Sequence, residues 1–280
     1  MFCEEAGIRP AAATVEDVVE FLVGLNSGTS RATGRKLSLA TLRIYRSALN
    51  CQYRKLGLPS PAASYEVGAT LRGLARLREE SPRQVKALRE DRISAMLEAC
   101  PATRHGRRDA AMIALGFAAA LRRSELCGLV VADISMERTD GMIVRVRRSK
   151  TDQGGVGQRI AVPEGKIVRA ISRLSAWLDA VGISDGHVFQ TLGRGGVPTG
   201  RPVNPGEVAR LVKRYVTKIG LDPADYSAHS LRAGFVTSAA AHRARLDKIM
   251  EVTRHRNPAT VLGYIRDADC FADHAGAHFL

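Results

Sequence analysis

The spacing of the apolar residues is the feature that most constrains the fold of this 280-residue chain. Apolar side chains recur every three or four residues along most of the chain, which is the period of an amphipathic helix. Residues 130–162 differ, because VVADIS, MIVRVRR and RIAVP are short β-type runs separated by the polar segments ERTDG and KTDQGGVGQ. The pattern predicts a mainly α-helical protein with a small antiparallel β-sheet.

A polar segment divides the predicted helices into two groups. REESPRQVKAL, residues 78–88, contains a proline and several charges and has no apolar period, which is typical of a linker. The length and the 45% of apolar residues also favour two domains, each with its own core. We therefore predict a helical domain over 1–80, a linker over 81–88 and a second domain over 89–280 that contains the sheet.

Residues 38–56, SLATLRIYRSALNCQYRKL, form the clearest predicted helix of the first domain. Ser38 can cap its first turn. One face carries an apolar stripe made of Leu42, Tyr45, Leu49, Tyr53 and Leu56. The other faces carry four cations, Arg43, Arg46, Arg54 and Lys55. Such a helix buries one side and presents positive charge on the other, either to an anionic partner or only to solvent.

The charge balance points to a polyanionic partner. Lys and Arg total 42 against 28 for Asp and Glu, which gives a net charge of +14. This excess is spread along the chain, as in proteins that bind nucleic acid or an anionic membrane surface. No apolar run approaches the roughly 18 residues of a membrane span, and no secretion signal is present, so we expect a cytoplasmic protein.

The cysteines and the missing motifs argue against a metal or a cofactor. The five cysteines are widely spaced and include no C-x-x-C pair, so neither a disulfide framework nor a zinc site is indicated. A reducing compartment fits this usage. The sequence also contains no G-x-x-x-x-G-K-[ST] loop and no clustered acidic metal ligands. We therefore predict no metal and no cofactor.

Three segments of the second domain hold cations in unusual places. ALRRSELCGL places Arg122 three residues before Glu125, after a very apolar helix where a cation needs an anion or a hydrogen-bond network. RRSKTDQGG places Lys150 at the end of a β-type run, and AHSLRAGF places His229 and Arg232 on one helical face. The alternatives are an internal ion pair between Arg122 and Glu125, a solvated lysine and a chance surface pair.

The segment RHRNPATVLGYIR combines a histidine with a tyrosine near the end of the chain. Asn257 can cap a helix that begins at Pro258, with His255 just before it and Tyr264 about two turns later. Taken alone, Tyr264 has a simpler interpretation as a packing aromatic. The six candidates in chain order are Arg122, Lys150, His229, Arg232, His255 and Tyr264.

Together these segments make the chain resemble tyrosine recombinases of the phage integrase family. ALRRSEL is similar to the first arginine box, SKTDQ to the hairpin lysine, HSLR to the H-x-x-R box, and RHRNPATVLGYIR has a histidine nine residues before the tyrosine. Residues 15–85 resemble the helical core-binding domain of that family. The resemblance implies a core-binding domain followed by an α/β catalytic domain of the DNA breaking-rejoining fold.

The resemblance also implies a role for each candidate residue. Tyr264 would attack a DNA phosphodiester and form a 3′-phosphotyrosyl link, while Arg122 and Arg232 stabilise charge on the nonbridging oxygens. Lys150 would protonate the leaving 5′-oxygen, His229 would assist proton movement at the tyrosine, and His255 would hydrogen-bond a nonbridging oxygen. The remaining implied roles are orientation of the cations by Glu125 and DNA binding by Arg43, Arg46, Arg54 and Lys55.

The implied enzyme is a site-specific recombinase or integrase of a bacterial mobile element or chromosome system. It would act on double-stranded DNA as a homotetramer, through a Holliday junction, with accessory DNA-bending or directionality factors as further partners. The C-terminal segment DADCFADHAGAHFL would dock on a neighbouring subunit or on its own. In one departure from the family, Arg254 stands where many members have glycine.

Two other functions stay open on the sequence. A type IB topoisomerase-like enzyme would share the chemistry and relax DNA without exchanging strands. A catalytically idle DNA-binding protein would close the same two cationic domains as a clamp around duplex DNA and would form no covalent adduct with it.

Overall fold

The computed structural model describes residues 12–29, 36–78, 85–137, 141–147 and 157–268, together with Gly7 and Gly34. The chain divides into two compact units, Met1–Arg83 and Gln84–Leu280. The described residues are mainly helical with small antiparallel sheets, which confirms the predicted fold class. Within these ranges no helix is both long and apolar enough to cross a membrane.

The described part of the first unit is helical. Its elements are α1 (Val15–Ser27), α2 (Leu39–Lys55), a 3₁₀ helix (Pro61–Ala63) and α3 (Tyr65–Arg78). Ser38 begins α2 by accepting a hydrogen bond from the backbone N–H of Thr41, as predicted. The core consists of Val18, Leu22, Leu42, Ala62, Val67, Leu71 and Leu74. Leu56, predicted to belong to the apolar stripe, is instead exposed, because α2 ends at Lys55 and Leu56 lies beyond its last turn.

Helix α5 is the buried centre of the second unit. It spans Arg104–Ala118, and every residue from Ala110 to Phe117 is buried, which explains why RDAAMIALGFAAAL is apolar on all sides. It packs most extensively against α7. The other helices are α4 (Glu90–Glu98), α6 (Arg123–Gly128), α7 (Ala170–Val181), α8 (Pro205–Lys218), α9 (His229–Ala241), α10 (Leu246–Thr253) and α11 (Pro258–Ala268).

Part of the predicted linker belongs to the second unit. The backbone N–H of Lys86 donates to the carbonyl of Asp225 at 2.9 Å, and that of Leu88 donates to the carbonyl of Ser230 at 3.1 Å. The Leu88 side chain is fully buried in the core of this unit. The second unit therefore begins before position 89, because two backbone hydrogen bonds and the buried Leu88 side chain fix residues 86–88 to it.

The predicted sheet is present, and its strands occur in chain order. Strands β1 (Ile134–Glu137), β2 (Gly141–Val146) and β3 (Gln158–Val162) are antiparallel, with Val144 paired to both Ile134 and Ile160. The first predicted run, VVADIS, begins as a 3₁₀ helix over Val131–Asp133 and enters the strand only at Ile134.

A second sheet was not predicted from the sequence. Strands β4 (Gln190–Leu192) and β5 (Pro198–Pro202) pair antiparallel in a two-stranded sheet. They are short, and β5 begins and ends with proline, so neither shows the alternation of apolar residues on which strand prediction depends.

The last three helices meet around a small apolar cluster of their own. Val236 of α9, Ile249 of α10 and Val261 of α11 are buried against one another, and Tyr264 packs on the edge of this cluster. Asn257 caps α11 as predicted, because its Oδ1 accepts from the backbone N–H of Ala259 at 2.9 Å. This cluster sets the position of the tyrosine relative to α9.

Gly234 of α9 tests the packing of Leu88. A Cβ atom at this position would lie only 1.8 Å from the carbonyl oxygen of Leu88, so the backbone of one segment would have to move. We expect Gly234→Ala to lower the free energy of unfolding by about 3 kcal/mol, as overpacking does, measured by urea denaturation. The control is Gly263→Ala, where an added Cβ meets nothing within 4 Å. Equal stabilities of the two variants would contradict this packing.

Candidate active site

The structure brings five of the six predicted catalytic residues together in the second unit. Arg122 directly precedes α6, and His229 and Arg232 lie in the first turn of α9. His255 lies between α10 and α11, and Tyr264 is on α11. The five residues come from four separate segments. The centroid of the Tyr264 ring lies 6.0 Å from that of His229 and 6.4 Å from that of His255. Lys150 lies outside the described residues, as do residues 269–280 of the C-terminal segment.

The tyrosine and the first histidine are in direct contact. Tyr264 Oη lies 2.6 Å from His229 Nε2. Partial burial of the imidazole, and then the charges of Arg232 and Arg122, lower the pKa of His229 below its ordinary value of 6.5. The ring is therefore neutral at pH 7 and can accept the proton of the tyrosine hydroxyl. Burial raises the pKa of Tyr264, with Arg232 opposing the rise, so the hydroxyl is protonated until a base takes its proton.

Arg232 is buried and is held by backbone carbonyl groups. Its Nη1 donates to the carbonyl of Ala120 at 2.7 Å, and its Nη2 donates to the carbonyl of Thr253. Burial, followed by the charges of Arg122 and Arg254, lowers the pKa of Arg232 to about 9, so the guanidinium stays charged at neutral pH. Ala120 has a φ of +46°, and this left-handed backbone costs on the order of 1 kcal/mol in a residue with a Cβ.

Arg122 forms the ion pair that the sequence left as an alternative. Its Nη1 lies 2.6 Å from Glu125 Oε1, and its backbone N–H donates to Oε2 at 2.8 Å. The Glu125 side chain is 2% exposed, whereas that of Arg122 is 25% exposed. The ion pair and a role for Arg122 at a phosphate are therefore compatible, because part of the guanidinium stays accessible to a second anion.

His255 is oriented by the hydroxyl of Thr253. Thr253 Oγ1 donates to the carbonyl of Ile249 at 2.7 Å, so its only proton is used there, and His255 Nδ1 must be the donor in their 2.9 Å contact. Burial first, and then mainly Arg232 and Arg122, lower the pKa of His255 to about 4. At pH 7 the ring is neutral and its Nε2 carries no proton. Donation from Nε2 to a phosphate oxygen therefore requires either a second proton on the ring or a shift of its proton from Nδ1 to Nε2.

Thr253 and Arg254 are the residues of this site that sequence reasoning missed. Thr253 accepts from Arg232 through its carbonyl and from His255 through its hydroxyl, yet a buried threonine in a helix carries no sequence signal. Arg254 was noted only as a departure from a family pattern. It is buried, and its Nη2 lies 2.6 Å from Glu125 Oε2. An arginine in a position that favours glycine was the available signal.

No metal site accompanies this arrangement in the described part of the chain. Within those residues no three or more His, Cys, Asp or Glu side chains are grouped so that they could hold a metal ion. The chemistry that the described residues can offer is that of cations, a neutral imidazole and a phenol hydroxyl.

Comparison with known proteins adds independent information. The model of the phage integrase family matches residues 86–270. An integrase/recombinase XerD homologue of Selenomonas ruminantium is 39% identical over 172 residues, covering 61% of this chain and 50% of that protein. Recombinase Cre of Escherichia phage P1 is 25% identical over 286 residues, covering 92% of this chain and 77% of that protein. The chain thus spans about half the length of the XerD homologue.

Solved structures share the fold at low sequence identity. The XerH site-specific recombinase, in a post-cleavage complex with its difH substrate, has a TM-score of 0.67 at 16% identity, covering 95% of this chain and 72% of that one. The Tn1549 transposon integrase, in complex with circular intermediate DNA, has a TM-score of 0.62 at 17% identity, covering 97% of this chain and 86% of that one. At these identities the likeness concerns the fold alone.

The state of His255 can be measured directly. We expect ¹H–¹⁵N correlation spectra of the DNA-free protein to show a neutral ring protonated at Nδ1, gaining its second proton only near pH 4, since its pKa is lowered to about 4. Thr253→Val removes the acceptor of the Nδ1–H group and should shift the ring toward the Nε2–H form. A ring that is charged at pH 6 in the wild-type protein would contradict the geometry described above.

Proposed function

Because the chain belongs to the phage integrase family, we propose that it is a site-specific DNA recombinase that cleaves and rejoins DNA through Tyr264. The observation that carries the proposal is the 2.6 Å contact between Tyr264 Oη and the neutral His229 Nε2, next to the charged Arg232. A tyrosine that served only in packing would not need a neutral imidazole as hydrogen-bond partner for its hydroxyl group. The relatives named above are recombinases and integrases, which supports the same reaction class.

The first step would be attack by the tyrosine on a DNA phosphodiester. As Tyr264 Oη forms a bond to phosphorus, its proton passes to His229 Nε2, and the bond from phosphorus to the 5′-oxygen breaks. The products are a 3′-phosphotyrosyl link and a 5′-hydroxyl, whose proton we assign to Lys150 on the strength of the family resemblance. A 5′-hydroxyl of a second strand can then reverse the step and reseal the DNA.

Arg122 and Arg232 would bind the phosphate during this attack. The transition state concentrates negative charge on the nonbridging oxygens, and guanidinium groups donate to such oxygens through two parallel N–H bonds. Glu125 would orient Arg122 and take no part in proton transfer, because both its oxygens already accept hydrogen bonds from arginines. His255 would join as a donor in the neutral form whose proton lies on Nε2, with Nδ1 then accepting a hydrogen bond from the Thr253 hydroxyl.

We assign binding of the DNA backbone to the first unit and catalysis to the second, with the boundary before Lys86 and not at position 89 as the sequence predicted. The first unit has a cavity of about 370 Å³ that is lined by Arg43, Arg46, Gly68 and Arg72, among others. A Cβ at Gly68 would lie 3.4 Å from Arg72 Nη1 and 3.6 Å from Arg46 Nη1, so two guanidinium groups converge there. Arg54 and Lys55 are exposed in the last turn of α2 and would add more distant phosphate contacts.

We extend the proposal to strand exchange between two DNA duplexes by a homotetramer. Recombination requires paired sites, whereas a topoisomerase-like enzyme would relax a plasmid with little sequence preference. The names of the relatives favour exchange. An assay that offers both a plasmid without attachment sites and a pair of candidate sites separates the two reactions.

A covalent adduct tests the proposal most directly. Wild-type protein incubated with a nicked suicide duplex should yield a protein–DNA adduct that survives denaturing electrophoresis, because loss of the nicked end prevents resealing. Tyr264→Phe should form no adduct and should keep its DNA affinity in a mobility-shift assay. Tyr65→Phe is the matched control, since Tyr65 is exposed in the first unit. An adduct of undiminished yield in Tyr264→Phe would exclude Tyr264 as the nucleophile.

The acid side of the pH profile tests the role of His229. Because its pKa lies below 6.5, the neutral base persists through neutral pH and is lost only when the pH falls below that value. The measured quantity is the rate of adduct formation at subsaturating DNA, whose pH dependence reports the ionisable groups of the unbound protein. We expect this rate to be constant from about pH 7 to 8 and to decrease only when the pH falls below 6.5, the ordinary pKa of histidine. His229→Gln should be about 100-fold slower and should lack this acid limb. If the wild-type rate already decreased while the pH was lowered from 8 to 7, His229 would be ruled out as this base.

A further inference from the structure

Arg254 occupies a position that is unfavourable for an arginine in three respects. Its backbone has φ of +59° and ψ of +38°, the left-handed conformation in which glycine is the usual residue at a helix C-terminus. Its charged side chain is 2% exposed. Its Nε is buried without a hydrogen-bond partner among the described residues. Glycine would remove all three costs, so the guanidinium must provide something in return.

The contacts of Arg254 lead to the groups that hold the other two arginines. Its Nη2 lies 2.6 Å from Glu125 Oε2, and the opposite oxygen of Glu125 binds Arg122 Nη1 at 2.6 Å. The guanidinium also donates, at 3.3 to 3.4 Å, to the carbonyls of Ala119 and Ala120. The carbonyl of Ala120 is the one that accepts from Arg232.

Removal of the Arg254 guanidinium would change the ion pairs of Glu125. Oε1 of the buried carboxylate binds Arg122 Nη1, whereas Oε2 binds both Arg254 Nη2 and the backbone N–H of Arg122. Without Arg254, the guanidinium of Arg122 would be the only charged partner of the carboxylate among the described residues. The carboxylate could then rotate and draw Arg122 deeper into an internal ion pair. A buried ion pair of this kind adds little net stability over apolar packing, which leaves orientation as the benefit that accounts for it.

We propose that Arg254 is a positioning residue, which acts through Glu125 and the Ala119–Ala120 carbonyls to hold Arg122 and Arg232 in the geometry that receives the DNA phosphate. The inference rests on the proposed function, because it assigns the two arginines to the phosphate. Arg254 itself does not touch the substrate. Arg254 joins the segment that precedes α11 to the segment that precedes α6. These contacts would keep the distance between Arg122 and Arg232 constant.

The test is the single-turnover rate of adduct formation on the nicked suicide duplex as a function of DNA concentration. Arg254→Met fills a similar volume without charge or hydrogen bonds. We expect it to lower the maximal rate by about 10- to 100-fold, as small misplacements of catalytic groups do, and to leave the half-saturating DNA concentration unchanged. Arg243→Met is the matched control, because Arg243 also has a left-handed backbone, with φ of +56°, but is exposed. It should react at the wild-type rate.

Two further variants distinguish positioning from a loss of folding. Arg254→Lys keeps a buried cation but cannot reproduce the forked contacts, so we expect slow cleavage with normal DNA affinity even if Arg254→Met does not fold. The double variant Glu125→Gln/Arg254→Met should be no slower than the slower single variant, because both changes disrupt the same contact.

The outcomes separate the two proposals. If the wild-type protein forms no adduct, the proposed function fails and this inference fails with it. If the wild-type protein forms the adduct and Arg254→Lys, or a folded Arg254→Met, reacts at the wild-type rate, only the positioning role is overturned. Additive losses in the double variant would likewise show that Arg254 does not act through Glu125.

Discussion

The site depends on one buried carboxylate and a few backbone carbonyls that hold three arginines close together. Like charges in a poorly solvated pocket repel one another, and each guanidinium also loses hydration, so the group is unfavourable unless acceptors are fixed around it. Glu125 supplies one negative charge, and the Ala119–Ala120 turn and Thr253 supply carbonyl dipoles. The site therefore retains a net positive charge, which favours the binding of an anionic group.

The same positive charge determines the protonation of the two histidines. Burial and the neighbouring guanidinium groups lower the pKa of both His229 and His255, which keeps both rings neutral. Neutrality suits His229, because it faces a hydroxyl group whose proton it can accept. At His255 the neutral ring is protonated at Nδ1, where Thr253 Oγ1 accepts the proton, and its Nε2 is an acceptor in this state. The same electrostatic environment therefore leaves the two histidines with different hydrogen-bond partners.

The fold class and most of the helices could be predicted from the sequence, because long amphipathic periods and caps such as Ser38 and Asn257 are local signals. Strands β4 and β5 could not be predicted, because they are too short to show an alternation of apolar and polar residues. The inclusion of Leu88 in the core of the second unit could not be predicted either. In the site, the residues with motifs could be named in advance. Thr253 and the Ala120 carbonyl could not, since they act through backbone and hydroxyl groups whose directions exist only in the folded chain.

Tyr264 is positioned by modest packing and by one polar contact. Among the side chains that the structure describes, the cluster that joins α11 to α9 and α10 has three buried residues, Val236, Ile249 and Val261, with partly buried residues around them. Helix α5, in contrast, is buried on all sides. Elements with few buried apolar contacts open at a lower free-energy cost than a domain core. The apolar cluster positions the ring of Tyr264, and the hydrogen bond to His229 directs its hydroxyl group. A substitution at His229 would therefore change both the direction of this hydroxyl and its proton acceptor.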